Sequence, residues 1–505
     1  MTVEHFDVLI VGAGLSGVGA GVHLSQKCSG KSYVILEGRP SMGGTWDLFR
    51  YPGIRSDSDM HTLGYSFKPW NAAKAIADGP SILNYVHETA AEYGVDQHIR
   101  YNHLAKAAAW SSEEAAWTIE AQRADTGEIV RFTCNFLFMC QGYYSYRQGF
   151  TPEFEGIDSF KGQIVHPQKW PKDLAYAGKK VVVIGSGATA MTLVPAMAAD
   201  AGHIAMLQRS PTYVVSRPAE DALANRLRAL LPSRWAYALT RWKNTTLQQM
   251  MYRRVRAEPE KAKAMIIAGV RKELGPDYDV ETHFTPRYNP WDQRLCLVPN
   301  SDLFAAIRSG KASVVTDQIE RFTENGILLK SGRALEADIV VTATGLNLVV
   351  LGEMRFSVDG APVDFGRTWT YKGMMYSGVP NLVSTFGYIN ASWTLRADLT
   401  SEYVCRLLNH MDETGARQVT PRLREGDRNM PARLWIDGFS SGYMQRMLLK
   451  FPKQGDREPW LNPQDYGRDK KMIRQGALED GALVFDNIEG RASKPAPVRA
   501  LQAAE

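Results

Sequence analysis

A chain of 505 residues with 44% hydrophobic and 22% charged side chains is long enough for two or three domains with sizeable cores. Its formal charge of +5 is small for that length and gives no reason to expect a nucleic-acid partner. The cysteines (Cys28, Cys134, Cys140, Cys296 and Cys405) are few, odd in number and scattered, which is poor material for a disulfide framework and fits a reducing cytosol; no CxxC or Cys/His cluster proposes a metal.

The run FDVLIV (6–11) predicts a short strand buried on both faces. Gly12-Ala13-Gly14-Leu15-Ser16-Gly17 and the helix-like VGAGVHLSQKC follow, and a second apolar run, Tyr33–Leu36, ends at Glu37. Such glycines allow a tight turn, close approach to a pyrophosphate and close helix–strand packing, while the helix N-terminus offers free N–H groups to phosphate. Glu37 falls 20 positions beyond Gly17, where an acid is expected to bind a ribose hydroxyl pair. The uncharged stretches 8–26 and 181–199 are broken by glycines, so no membrane span is expected, and Glu4 and Asp7 stand where a signal peptide would carry cations. The expected location is the cytoplasm.

The pattern recurs. KVVVI (Lys180–Ile184) precedes Gly185-Ser186-Gly187-Ala188-Thr189-Ala190 and the helix-like MTLVPAMAA, and the next strand (203–207) ends at Gln208-Arg209. Alanine is an accepted variant at the third small position, and an arginine in place of the acid can pair with a 2′-phosphate. The first loop therefore reads as an FAD site, and the second, with Arg209 and its neighbour Ser210, as an NADPH site. Disulfide reductases also carry two such units, but they need a redox cysteine pair that this chain lacks.

Residues 217–273 have a different texture, with 13 Lys/Arg against 5 Asp/Glu. They predict two or three amphipathic helices broken at Pro232 and near Pro259. Three readings stay open: a solvated positive face, a cap over a substrate pocket, or a basic, Trp-containing surface that rests weakly on an anionic membrane or a partner. Beyond it, ADIVVTATG returns to strand character and closes at Thr344-Gly345, as FLFMCQGYY closes the first unit at Gly142. GYINASWTLRADLTSEYVCRLL predicts a loop opening a helix, and the composition of the tail SKPAPVRALQAAE predicts disorder.

The expected fold is therefore α/β, with two Rossmann-like dinucleotide-binding domains, for FAD and NADP, and a helical insertion. The expected boundaries are 1–145 and 346–490 for the FAD-binding domain, and 146–212 (with a linker) and 300–345 for the NADP-binding domain. The insertion and active-site segment take 213–299, and the tail takes 491–505.

Between the two nucleotide units, Phe160, Gly162, His166 and Trp170 resemble the FxGxxxHxxxW fingerprint of type I Baeyer–Villiger monooxygenases. Gly44-Thr45-Trp46, Tyr51-Pro52-Gly53 and Asp57 resemble a second signature of that family, GxWxxxxYPGxxxD, and YNPWDQRLCLVPN is similar to the subgroup containing the ethionamide-activating monooxygenase. The resemblance implies that FAD, NADPH and O2 convert a ketone to an ester or lactone through a C4a-peroxyflavin, with sulfides or thioamides oxidised as well. It implies that Gly44, Thr45, Trp46 and Asp57 contact cofactor, that Arg294 stabilises developing negative charge, and that Asp57 positions Arg294. It also places His166 in an interdomain linker and makes Trp170 a packing anchor. One departure stands out: Gln293 occupies a position commonly held by lysine in the family, which leaves Arg209 more alone in selecting NADPH. Two other readings remain, a flavin monooxygenase limited to amines and sulfides, and an NADPH oxidase that transfers no oxygen.

Overall fold

A computed structural model describes residues 3–486, so the expected disordered tail lies outside the described residues. The strand Glu4–Val11, with Val8, Leu9 and Ile10 fully buried, is the axis of a nine-stranded sheet. It pairs in parallel with Tyr33–Leu36 on one side and with Ile129–Met139 on the other. Ile129–Met139 also runs antiparallel to Ala116–Arg123, and that strand to His103–Ser111, so a meander extends the parallel core. The chain returns to this sheet late, through Arg355–Val358 beside His103–Ser111 and through Leu382–Ser384 beside Ile129–Met139. The long helix Trp393–Thr414 then packs along the first dinucleotide helix, Leu15–Lys27.

A second sheet is wholly parallel, in the order Ala312–Thr316, His203–Gln208, Lys180–Ile184, Ile339–Thr342, Gln163–Val165. Its strands are short and apolar, as expected of strands covered on both faces. The expected α/β architecture with two Rossmann-like units is what folds. A separate antiparallel trio, Ile319–Thr323, Gly326–Leu329 and Ala334–Glu336, interrupts the return to the second sheet.

The insertion leaves and re-enters on two strands that pair in parallel, Val214–Arg217 and Cys296–Pro299. Between them run the helices Ala222–Leu230, Ser233–Ala257, Pro259–Leu274 and Val280–Phe284. The breaks fall at Pro232, which caps one helix, and at Pro259, which opens the next, positions where the missing N–H of proline costs no intrahelical hydrogen bond. Arg241 pins this insertion to the first domain. Its Nη1 donates to the carbonyls of His61, Thr62 and Gly64, capping the short helix Met60–Leu63, and its Nη2 lies 3.3 Å from Oδ2 of buried Asp398. None of the described helices is long and apolar enough to cross a membrane.

Candidate active site

The two glycine loops use one device. Gly12 has φ +100°, and a Cβ there would lie 2.6 Å from the Cys140 carbonyl oxygen; Gly185 has φ +133°, with the Ala343 oxygen 2.4 Å from the same point. Each loop is thus pressed onto the end of the neighbouring strand, and only glycine fits without strain. Neither following helix, Leu15–Lys27 or Ala188–Met197, has a side-chain cap, so its first N–H groups remain free for an anion. A Cβ on Gly187 would meet nothing within 4 Å, which leaves the space in front of the second helix open to a phosphate. Gly17 and its counterpart Ala190 sit at the helix–strand contact, Ala190 fully buried.

Glu37 is where the first loop needs it. Ala13 N donates to its Oε2 at 2.9 Å and Arg39 N to its Oε1 at 3.0 Å. Burial pushes this carboxyl up, and the two N–H groups pull it back. Each carboxylate oxygen can accept a further hydrogen bond, so a ribose diol fits. Gly43 N donates to Ala13 O at 2.9 Å and Thr45 Oγ1 lies 2.7 Å from Tyr144 Oη, which brings the Gly44-Thr45-Trp46 turn against the same loop. A Cβ on Gly14 would lie 3.5 Å from the Gly44 Cα. At the second loop, Arg209 is exposed and has no ion-pair partner among the described residues. Its neighbour Ser210 accepts from the Ser186 hydroxyl at 3.3 Å, which ties this strand end to the second loop. The donor sets thus suit two dinucleotides.

Arg294 and Asp57 meet. Arg294 Nε donates to Asp57 Oδ2 at 2.8 Å and Nη2 donates to the same oxygen. The carboxylate holds the guanidinium proton more tightly still, so the cation persists at any working pH. About 40% of the Arg294 side chain stays accessible, so the charge is braced from one side and open on another. Two neighbouring acids do structural work. Asp59 caps Met60–Leu63 by accepting from Thr62 N, and Asp47 pairs with Arg39 and Arg50.

Sequence reasoning missed the aromatic residues around this pair. Tyr143 and Tyr443 feel the Arg294 charge, although burial is what pushes both phenols up. Tyr143 stacks on Trp393 with centroids 5.0 Å apart, and the Trp393 indole donates to Ser16 Oγ in the first glycine loop at 2.8 Å. Tyr143 is thereby joined to the first glycine loop through the Trp393 ring. The only signal in the sequence was the position of Tyr143, directly after Gly142 at the close of the first unit.

The other signature residues join the two units. Gly53 has φ +74°, and a Cβ on it would lie 2.5 Å from the Ala196 Cβ, so the Tyr51-Pro52-Gly53 turn is seated on the second dinucleotide helix. Tyr51 is buried and its hydroxyl is pushed up to about 12, with Thr189 of that helix as a hydrogen-bond partner. Arg55 pairs with Asp302, again across the units. In the fingerprint, Phe160 is core and Gly162 sits where a Cβ would lie 2.3 Å from the Asp338 oxygen, next to the edge strand Gln163–Val165. His166 Nδ1 accepts from Gln168 N at 3.1 Å, and its ring leaves no room for a side chain on Gly149. Burial holds this imidazole below its usual range. Trp170 packs half-buried on the main core. Gln293 follows Asp292 in the same turn and adds no cation beside Arg294.

Two dinucleotide units joined at a carboxylate-braced arginine define a two-nucleotide redox enzyme. The comparisons give the family. Residues 76–353 match the flavin-binding monooxygenase-like model, and residues 10–78 match an NAD(P)-binding Rossmann-like domain. The FAD-containing monooxygenase EthA of Mycobacterium tuberculosis is 54% identical over 98% of this chain and 99% of its own length. The probable FAD-binding monooxygenase AlmA of Acinetobacter baylyi is 47% identical over 96% of each chain. Among solved structures, an oxidised steroid monooxygenase bound to NADP superposes with a TM-score of 0.75 at 23% identity, over 95% of this chain and 99% of that one. The chain belongs to the flavin-binding monooxygenase-like family and is an enzyme of that class.

Proposed function

We propose that the protein is an FAD- and NADPH-dependent monooxygenase of the Baeyer–Villiger type, which uses O2 to convert ketones to esters or lactones and also oxidises sulfides or thioamides. The single observation that carries this reading is the accessible Arg294 cation held by Asp57 where the two units meet. Bound flavin, reduced by NADPH, supplies the activation of O2. The chain's own residues do the rest. The first loop, Glu37 and the Gly44-Thr45-Trp46 turn hold FAD, while Gly185, Gly187, Ala188, Thr189, Arg209 and Ser210 hold NADPH. Arg294 places a fixed positive charge where negative charge develops on the reacting oxygen, and such preorganised charge lowers the barrier because it needs no reorganisation during the step. Asp57 positions that charge.

His166 and the strand beside it act as a hinge between the units, with the FAD domain taking 1–145 and 346–490, the NADP domain 146–212 and 300–345, and the insertion 213–299. The enzyme works in the cytoplasm, in part at the surface of an anionic membrane through the basic insertion. Product analysis on linear, cyclic and aryl ketones and on sulfides, with NADPH and labelled O2, tests the reaction. Label in an ester is the expected result. Hydrogen peroxide equal to the NADPH consumed, with no labelled product, overturns it in favour of an oxidase.

A further inference from the structure

We infer that one face of the helix Ser233–Ala257 is the surface that docks on an anionic lipid bilayer. The helix is amphipathic in the unexpected sense. Its buried residues include Tyr237, Thr240 and Val255, which share one side. On the opposite side, within an arc of about 80° at 3.6 residues per turn, stand Trp235, Leu239, Trp242, Thr246 and Met250. Trp235 and Trp242 are each 68% exposed, Met250 55% and Leu239 44%. Leu230, 81% exposed, and Leu231 continue the apolar strip at the turn before the helix. An apolar strip some 22 Å long, at about 1.5 Å per residue, is not expected on a surface that faces only water.

The charges around it select the occupant. Arg226, Arg234 and Arg254 are exposed and have no ion-pair partner among the described residues. Three of the five acids of the segment are already engaged, Asp221 with Lys243, Glu258 with Lys261 and Glu273 with Arg308. Tryptophan and leucine on a face flanked by the free Arg254, about 40° round the helix from Met250, match the boundary between acyl chains and anionic headgroups. Arg241, fixed on the inner side between Asp398 and the end of Met60–Leu63, holds the helix so that this face stays outward. The inference narrows the membrane reading above to one face, and it does not depend on the oxygenation chemistry.

The test uses the purified full-length holoenzyme, co-sedimented with vesicles of equimolar phosphatidylglycerol and phosphatidylcholine, and with phosphatidylcholine alone. Binding is expected to the anionic vesicles and to fade between about 50 and 500 mM salt. The variant Trp235→Gln/Trp242→Gln is expected to bind at least about tenfold more weakly, because the two largest apolar anchors are gone. Its FAD content and its turnover of a water-soluble sulfide are expected to match the parent, which shows that it is folded. Absence of parent binding at low salt overturns both the membrane reading and this face. Undiminished binding by the folded variant overturns the face alone. Concentration-dependent self-association without vesicles, lost in the variant, assigns the strip to a second copy of the chain and likewise overturns it.

Discussion

Asp57 holds Arg294 across 237 residues of chain, with Nε to Oδ2 at 2.8 Å and Nη2 on the same oxygen. Both hydrogen bonds run from a guanidinium edge to one carboxylate oxygen, which fixes the plane of the cation while about 40% of the side chain stays accessible. The positioning partner comes from the segment after the first glycine loop and the cation from the end of the insertion, so the pair forms only when both units are docked.

Arg294→Ala is expected to abolish most ester formation while anaerobic reduction of the flavin by NADPH continues at a measurable rate. Loss of one preorganised charge-stabilising group typically costs about a hundred- to a thousandfold in rate. Asp57→Ala is expected to show a smaller loss of the same kind, because it orients the cation and does not replace it. Stopped-flow reduction followed by product analysis separates the two steps. Near-parental ester formation by Arg294→Ala removes the proposed role.

Arg209→Ala is expected to erode the preference for NADPH over NADH, mainly through KM. A charge-assisted contact to phosphate contributes about 1.5–3 kcal/mol, which corresponds to roughly ten- to a hundredfold. Because Gln293 brings no second cation, little residual preference is expected. An unchanged ratio of kcat/KM for the two nucleotides places the selecting charge elsewhere.

Gly53→Val is expected to destabilise the protein by about 1–3 kcal/mol and to uncouple NADPH oxidation from product formation. The φ of +74° disfavours a branched side chain, and its Cβ would collide with Ala196 on the second dinucleotide helix. Thermal unfolding, together with the ratio of hydrogen peroxide to ester, reports the two effects. A fully coupled, equally stable variant shows that this turn does not set how the units dock.

His61 is 3% exposed with neither ring nitrogen hydrogen-bonded, and burial holds it below its usual 6.5 despite the pull of Asp59 and Asp221. In the unfolded chain the imidazole takes up its proton near 6.5, whereas in the folded state it resists until lower pH. Stability contributed by this group is therefore unaffected above that value and falls as pH drops through the window beneath it. His61→Phe is expected to lose less stability than the parent between about pH 7.5 and 5.5. Equal losses of unfolding temperature in the two proteins count against a buried neutral His61.

The two nucleotide loops were legible residue by residue, since each is a local strand–turn–helix whose glycines, small residues and closing side chain lie within some 40 residues of one another. Gly12 and Gly185 could be read directly because a positive φ against a neighbouring strand end admits little else. The breaks at Pro232 and Pro259 were legible for an equally local reason, the missing N–H and fixed φ of proline. The pairing of Asp57 with Arg294 came from resemblance and could not be derived from spacing, because 237 residues separate the partners. Folding alone brings Tyr143 and Tyr443 to that cation, gives Asp47 and Asp59 other partners, and makes Gly53 a docking point between units. It alone sets which side of Ser233–Ala257 faces outward. The helical period exposes two opposite faces in any amphipathic sequence, and which one is buried depends on contacts such as Arg241 with Asp398, made by residues 157 positions apart.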